Sequence, residues 1–260
     1  MANNFEPYKK ISFRTEKGKA LSVEKYKSLP FTNDVLKAMA QKGAFEGTVI
    51  IADKQTNPRG TLGKQFFPDD VAGLHMSILL RPSFSVNQSL LLTSMAAVAV
   101  SRAIRSNSKA EFGIKWVNDI YCKKKKISGV LAEGVVNSDN GFDYVIIGIS
   151  LNLLPSVFPP KLADIIAEVF SEDKEGTADK LAHSILTEFF SMYENFNMDN
   201  SFIEEYRDLS ILDGKKVRVM INGEKQTATV LGITENAHLA VRLKDGTEHV
   251  LNSTAELLEK

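Results

Sequence analysis

Cysteine is almost absent from this chain of 260 residues, and histidine is scarce. A single cysteine, Cys122, makes an internal disulfide impossible and excludes a zinc site built from several thiolates. The four histidines show no metal-ligand spacing, so we predict no protein-bound metal site; they are His75, His183, His238 and His249. One unpaired cysteine is also typical of a protein kept in a reducing cytoplasm.

Charge of one sign and long apolar segments are missing as well. Thirty-two basic residues balance 32 acidic ones, so no global positive field attracts nucleic acid or an anionic membrane. The longest apolar runs, SILL and VIIGISLNLL, are shorter than a membrane span, and the polar N-terminus lacks the apolar core of a secretory signal. We interpret the KKKK run at 123–126 as an exposed turn. The sequence predicts a cytoplasmic protein that binds neither nucleic acid nor membrane.

Hydrophobic periodicity predicts alternating helices and strands over the first 210 residues. A helix should begin with Thr32 or Asn33 as N-cap and stop at Gly43. An Ala- and Leu-rich segment predicts a buried helix, and β-branched runs predict core strands. The remaining predicted elements are an arm or strand pair at 1–20, strands at 48–55, 74–82 and 144–153, a strand running into a loop at 111–122, a turn and a strand at 123–136, and helices at 88–105, 177–195 and 201–208.

The pattern changes at Asp213-Gly214, after which short apolar strands follow one another closely. Asn222-Gly223 and Asp245-Gly246 stand between pairs of these strands and can supply the positive φ of tight hairpins. We therefore predict two domains, residues 1–211 and residues 212–260, the second a small all-β barrel. About 50 residues form a marginal core, so this barrel should pack against the larger domain.

Five segments resemble, in order, those of the biotin protein ligases. They are SLPFTNDVLK, VIIADKQT with the loop after it, GIKWVND at 113–119, ISGVLAE and GISLNL. The C-terminal hairpins resemble the SH3-like barrel of that family. The resemblance covers roughly residues 20–260. It implies an α+β catalytic domain like that of class II aminoacyl-tRNA synthetases, a mixed sheet flanked by helices, followed by the small barrel.

The resemblance implies a two-step ligase reaction. ATP and biotin first form biotinyl-adenylate, with Mg²⁺ neutralising the triphosphate, and a lysine of a carboxylase carrier domain then takes the acyl group. Relatives are often homodimers, so a homodimer is a further expectation. Only about 20 to 30 residues precede the matching region, which is shorter than a DNA-binding domain, and we expect no operator binding.

The resemblance also implies a set of site residues. Lys115 would bridge the biotin carboxylate and the phosphate, and a surface lysine at a strand end is its alternative. Asn118 with Asp119 borders the nucleotide or only caps a turn, Asn152 lies near the phosphates or only ends a strand, and Trp116 is expected to be a core or wall residue. The implied sets are Lys115 and Arg59 for catalysis; Thr32, Gln55, Arg59, Ser77, Lys115 and Gly148 for biotin; and Arg59, Lys64, Asn118 and Asn152 for ATP.

Several residues depart from the family pattern where small molecules should bind. Pro58 stands where the adenylate loop usually has glycine, and Thr61 stands where a second arginine is usual. Proline restricts the backbone and removes an N–H donor, and threonine removes a guanidinium. Phe31 replaces a serine that would bond the biotin ureido group. The other departures are His75 for tyrosine, Ser150 for glycine, Ala255-Glu256 for Gly-Glu and Lys260 for arginine.

These departures leave two alternatives to a biotin ligase open. The chain could be a divergent paralogue without ligase activity that serves as a binding or regulatory module. It could also be a ligase for another carboxylic acid, such as lipoate.

Overall fold

The computed structural model describes residues 5–60, 73–106, 111–122, 124–153, 176–196, 199–252 and 257–258. Within these residues the chain forms two β-sheets and four α-helices. The helices are α1 Thr32–Gln41, α2 Ser89–Arg105, α3 Thr177–Asn195 and α4 Phe202–Asp208. This arrangement is the predicted α+β class. None of the described helices has the length and hydropathy of a membrane span.

The larger sheet has eight strands in the described ranges, in the order β1-β2-β3-β4-β8-β7-β6-β5. Strands β2 and β3 pair in parallel, and the other neighbours are antiparallel, so the sheet is mixed as predicted. The strands are β1 Lys9–Arg14, β2 Ala20–Tyr26, β3 Thr48–Ala52, β4 Gly73–Leu80, β5 Phe112–Lys115, β6 Asp119–Cys122, β7 Lys125–Val136 and β8 Phe142–Asn152.

Helices cover both faces of this sheet, because its central strands β3, β4 and β8 carry buried apolar residues on both faces. One face carries Ile50 and Ile146 and packs against Leu36 of α1. The opposite face carries Val49 and Ile147 and packs against α2. Helix α2 is buried on most sides, as its Ala- and Leu-rich sequence predicts, and α3 and α4 pack outside it.

The smaller sheet lies at the C-terminus and is antiparallel, with the order β12-β11-β10-β9-β13. Its strands are β9 Lys216–Ile221, β10 Glu224–Ile233, β11 Leu239–Leu243, β12 Glu248–Leu251 and β13 Leu257–Leu258. Asn222 and Gly223 both adopt positive φ, as predicted for a tight hairpin. At the second hairpin only Gly246 does, while the Asp245 carboxylate accepts a bond from the Thr247 N–H at 2.9 Å.

Three local predictions are corrected by the structure. Helix α1 does begin at Thr32 and stops before Gly43, but its N-cap residue is Phe31, because the Thr32 hydroxyl is engaged elsewhere. Segment 111–122 is a hairpin of β5 and β6 rather than a strand running into a loop. The lysine run is not simply an exposed turn: among its described residues, Lys124 is exposed, whereas Lys125 and Lys126 belong to β7 and are half-buried.

Candidate functional site

A row of directly paired residues crosses the large sheet on the face that carries α1. His75 pairs with Ser150, Ser150 with Gly129, Gly129 with Asp119, and Asp119 with Lys115. Side chains that pair directly across strands lie on one face of a sheet. The row therefore brings residues from five strands to one surface.

Glycines make a hollow in this surface. Gly129 lies in the row, and Gly148 lies in the next one, paired with Ser77 and with Leu131. Neither carries a side chain, so the sheet forms the floor of a cavity beside the N-terminus of α1. The cavity is lined by Phe31, Thr32, Asn33, Arg59, Gly60, Asn118, Asp119, Lys126, Gly129, Val130, Leu131, Gly148, Ile149 and Ser150.

Gly148 also allows the helix to approach the sheet. A Cβ atom at this position would lie 2.3 Å from Oδ1 of Asn33, closer than such atoms ever come. Asn33 uses this approach to donate its amide N–H to Glu133 at 2.7 Å and to accept the Ser77 hydroxyl at 2.6 Å. The first turn of α1 is thereby fixed over the cavity floor.

The predicted biotin-binding residues Thr32, Gln55 and Ser77 form one buried polar network. The backbone N–H and the hydroxyl of Thr32 contact Oε1 of Gln55 at 2.8 and 3.0 Å. The Ser77 hydroxyl lies 2.8 Å from that of Thr32. Thr32 is the member of this trio on the cavity wall, so Gln55 and Ser77 act behind it in the described structure.

A lysine and a carboxylate occupy the opposite wall. Nζ of Lys126 lies 2.6 Å from Oδ1 of Asp119, and each side chain is about 20% exposed. A cation so placed can move from its carboxylate partner to an anionic ligand. Lys126 was missed in the sequence because it was grouped with its exposed neighbours. Its position just before the ISGVLAE strand was the available signal.

Lys115, the predicted catalytic lysine, does not line this cavity. It lies on the same face of the sheet, but at the far end of the row on β5, where its Nζ is 5.9 Å from the centre of the Tyr121 ring. Asp119 and Tyr121 on β6 separate it from the glycine floor. The strand order therefore favours Lys126 over Lys115 as the lysine beside a bound ligand.

Arg59 lines the cavity and lies at its mouth, with 44% of its side chain exposed, and its contact with a ligand stays a prediction. Its Nη2 donates to Oδ1 of Asp34 at 2.5 Å, and its Cζ lies 5.0 Å from the centre of the Phe31 ring. Phe31 is 6% exposed and forms part of the wall, so its ring occupies space where the family pattern has a hydroxyl.

The predicted nucleotide residues divide into three cases. Asn118 lines the cavity. Its side-chain Nδ2 donates to the Val130 carbonyl at 2.6 Å, and its backbone carbonyl accepts the Val130 N–H at 2.9 Å. These bonds fix the turn, which is the second of the two expected roles. Asn152 is buried at the end of β8, on the face of Gly148 and Ser150 but away from the cavity lining. Lys64 lies outside the described residues, as do Thr61, Ala255, Glu256 and Lys260.

The turn that carries Asn118 is held by three separate elements. The Trp116 indole N–H donates to the carbonyl of Ala237, in the turn between β10 and β11 of the small sheet, at 2.8 Å. The Val117 carbonyl accepts the Tyr206 hydroxyl of α4 at 2.7 Å, and Asn118 bonds β7. Trp116 is thus a buried core residue, one of the two expected alternatives, and its bond to Ala237 joins the C-terminal domain to the turn that carries Asn118.

His75 and Ser150, two departures from the family pattern, contact each other. The His75 Nδ1 and the Ser150 Oγ lie 3.1 Å apart on neighbouring strands. Burial lowers the pKa of His75 to about 4, so its imidazole is neutral at physiological pH. The pair supplies a neutral polar edge beside the cavity floor.

The described residues give magnesium no cage of its own. No group of three or more His, Cys, Asp or Glu side chains is assembled anywhere in the described ranges, and the one carboxylate on the cavity wall, Asp119, is paired with Lys126. Such a wall fits Mg²⁺ that arrives with a nucleotide, whose phosphates and waters supply most of its ligands.

Comparison with known proteins identifies the family. Residues 26–152 match the model of the Biotin/lipoate A/B protein ligase family. The Bifunctional ligase/repressor BirA of Bacillus subtilis is 30% identical over 237 residues, which are 88% of this chain and 72% of that protein. The Biotin--[acetyl-CoA-carboxylase] ligase of Mycobacterium tuberculosis is 26% identical, over 79% of this chain and 76% of its own.

Solved structures share the fold. The biotin protein ligase of Aquifex aeolicus in complex with biotin and ATP superposes with a TM-score of 0.72 at 24% identity, covering 91% of this chain and 97% of its own. A biotin protein ligase-like protein of unknown function from Silicibacter superposes with a TM-score of 0.67 at 15% identity, covering 93% of this chain and 96% of its own. With a relative of 30% identity along most of both chains, this chain belongs to the biotin protein ligase family.

Proposed function

We propose that this chain is an ATP-dependent ligase that joins biotin to a lysine of a carboxylase carrier domain. The observation that carries the proposal is the cavity of the α1 face, where Lys126 and Arg59 put two cations around a glycine floor. Family membership supplies the reaction class, and the cations supply the charge that the reaction needs.

The first step joins two anions. A carboxylate oxygen of biotin attacks the α-phosphorus of ATP, the bond to the β-phosphate oxygen breaks, and pyrophosphate leaves. Lys126 would give up part of its ion pair with Asp119 and bond the biotin carboxylate and the α-phosphate. Arg59 would contact the ligand from the mouth of the cavity. Magnesium bound with the nucleotide would neutralise the triphosphate.

The second step transfers the acyl group. The neutral amine of the acceptor lysine attacks the acyl carbon of biotinyl-adenylate, the bond to the phosphate oxygen breaks, and AMP leaves. The attacking nitrogen, positively charged after the attack, loses one of its two protons to water or to a nearby carboxylate and becomes the amide N–H. Lys126 would stabilise the negative charge that develops on the acyl and phosphate oxygens.

The buried network gives the site its polar specificity. Thr32, Gln55, Ser77 and Asn33 bring several oxygens together at the N-terminus of α1. Oxygen acceptors suit the two N–H donors of a biotin ureido group. We propose Thr32 as the residue of this network that touches the ligand, with Gln55 and Ser77 orienting it.

Transfer of biotin to a purified carrier domain tests the proposal. The unaltered chain should biotinylate the acceptor lysine at saturating biotin and ATP. Lys126→Ala should lower the rate of pyrophosphate release about 100-fold or more, as expected for removal of a group that stabilises developing charge. Lys115→Ala should lower it less than tenfold, and Lys37→Ala, an exposed lysine on α1, should leave it unchanged.

Two outcomes contradict the proposal at different levels. No transfer by the unaltered chain, with a correctly folded sample, removes the ligase function. If Lys115→Ala and Lys126→Ala lower the rate of pyrophosphate release equally, the role assigned to Lys126 is wrong, while the proposed ligase function stands. The expected absence of operator binding stays a prediction, which a mobility-shift assay with and without biotin checks.

Phe31 favours a second candidate, a member of the fold that no longer ligates biotin. Its ring lies in the cavity wall where a hydroxyl would meet the ureido group, and Ser150 adds a side chain beside the floor. Calorimetry with biotin, lipoate and ATP separates the candidates. Tight binding of biotin and ATP together contradicts a non-ligating paralogue, and pyrophosphate release with lipoate but not biotin points to a different acid.

A further inference from the structure

Arg59 is held between two side chains of the segment that opens α1. Its guanidinium carbon lies 5.0 Å from the centre of the Phe31 ring, and its Nη2 bonds Asp34. Phe31 is almost fully buried, whereas 44% of the Arg59 side chain is exposed. The ring is therefore the fixed partner and the arginine is the group that needs fixing.

The local backbone brings these groups together. Phe31 is extended, with φ −157° and ψ 125°, directly before the helix, and Asp34 follows in its first turn. The segment leading to Arg59 is tied to the segment before Phe31, because the N–H of Thr56 bonds the Leu29 carbonyl at 2.9 Å and the N–H of Asn57 bonds the Pro30 carbonyl at 2.8 Å. The backbone at both ends of the contact is thus anchored.

The geometry leaves part of the guanidinium available to a ligand. The guanidinium carbon lies over the Phe31 ring, and Asp34 accepts a bond from one guanidinium nitrogen. With the described residues the Arg59 guanidinium forms no hydrogen bond or ion pair besides the one to Asp34, so its remaining N–H donors can meet an anion at the cavity mouth. The sequence has threonine at position 61 in place of a second arginine, so the placement of Arg59 carries more of the binding.

We propose that Phe31 is a positioning residue, which holds the Arg59 guanidinium where it meets the anionic group of the bound acid or nucleotide. This proposal rests on the proposed function and deepens it. It gives the phenylalanine a role in place of the serine hydroxyl that the family pattern has there. A cation over an aromatic face is attracted by the ring, and the attraction strengthens when a ligand excludes water.

A double-mutant cycle tests the proposal. The binding constants of biotin and of MgATP are measured for the unaltered chain, Phe31→Leu, Phe31→Tyr, Arg59→Gln and the Phe31→Leu/Arg59→Gln pair. For the substrate that Arg59→Gln weakens, Phe31→Leu should raise the Kd about two- to fivefold, the range expected for an exposed cation–π contact. Phe31→Tyr, which keeps the ring, should retain the original Kd.

The combined variant separates positioning from packing. If Phe31 acts through Arg59, Phe31→Leu does not raise the Kd any further in the Arg59→Gln background. An equal loss in both backgrounds, or a loss in Phe31→Tyr as large as in Phe31→Leu, overturns the proposal in favour of simple packing.

A second readout needs no substrate. Protons on the Arg59 side chain should show an upfield NMR shift from the Phe31 ring, which is lost in Phe31→Leu, kept in Phe31→Tyr and unchanged in Phe45→Leu, a phenylalanine that is 51% exposed. If the unaltered chain binds neither biotin nor ATP, the proposed function has failed while this shift still reports the contact. Absence of the shift in the unaltered chain overturns the positioning role itself.

Discussion

His75 shows how a single residue takes its chemical state from its neighbours. In the sequence it is one of four scattered histidines and a departure from a family tyrosine. In the structure it pairs with Ser150, a second departure, and burial lowers its pKa to about 4. Two substitutions that look independent along the chain therefore form one contact.

The depressed pKa of His75 predicts a pH-dependent stability. In the unfolded chain this imidazole is protonated below its ordinary pKa of 6.5, whereas in the folded chain its pKa of about 4 keeps it neutral until the pH is much lower. The contribution of His75 to the free energy of unfolding is therefore complete above pH 6.5 and is lost as the pH falls toward 4. Between pH 7.5 and 4.5 the unaltered chain should lose about 2 kcal/mol more unfolding free energy than His75→Gln.

Urea denaturation at a series of pH values measures this difference. Carboxylates with lowered pKa values, such as Glu46, also destabilise the fold in acid, but they are common to both chains and cancel in the comparison. Parallel pH profiles for the unaltered chain and His75→Gln contradict the prediction.

Helix α1 and strand β8 illustrate how one element positions another. Gly148 lets the first turn of α1 descend until the Asn33 amide reaches Glu133 and Ser77. The same turn presents Thr32 and Phe31 to the cavity. A strand glycine thus sets the height of a helix end above the sheet and, with it, the shape of the site.

Gly148→Ala should damage stability and binding together. The new Cβ would meet the Asn33 amide 2.3 Å away, so α1 must shift, at a cost of about 1–3 kcal/mol typical of overpacking. Chemical denaturation measures the loss, and calorimetry should show weaker biotin binding.

Asn33→Ala provides the matched background. With the amide removed, the added methyl group has room, so Gly148→Ala should cost less there than in the unaltered chain. Equal costs in both backgrounds would show that the Asn33 contact does not set the position of α1.

Across the whole molecule, the two sheets share one continuous core. Val217 and Val219 of the small sheet belong to the same buried cluster as Trp116 and the residues of α2. Trp116 bonds Ala237, and the Arg207 guanidinium on α4 bonds the Ile233 carbonyl at 2.8 Å. The small sheet therefore braces the turn that carries Asn118 into the cavity.

This shared core predicts a single cooperative unfolding transition. Fluorescence of Trp116, the only tryptophan, reports the contact between the sheets, and far-ultraviolet circular dichroism reports the helices. The two curves should coincide in urea, as expected when no part unfolds first. Loss of the tryptophan signal at lower urea than the dichroism signal would show that the small sheet detaches independently, and the proposed boundary at 211–212 would then separate two folding units.

The sequence alone determined the fold class, most of the elements and the family. Apolar periodicity marks α1, α2 and the core strands, and Asn222-Gly223 marks a tight hairpin, because these signals act between residues that are close along the chain. Strand β2 was not predicted, because its alternation of Leu21 and Val23 with polar residues is short and ends at Lys25, a charged residue that is buried through its ion pair with Asp179. The hairpin at 112–122 was predicted as one strand running into a loop, because its turn at 116–118 contains neither glycine nor proline.

The membership of the site was decided only by the tertiary structure. Lys115 and Lys126 look alike along the chain, and the pairing of β5, β6 and β7 puts Lys126 on the cavity and Lys115 two strands away. The contacts of Phe31 with Arg59 and of His75 with Ser150 likewise depend on which segments meet. Cross-strand order and helix packing arise from long-range burial, and no local pattern of residues encodes them.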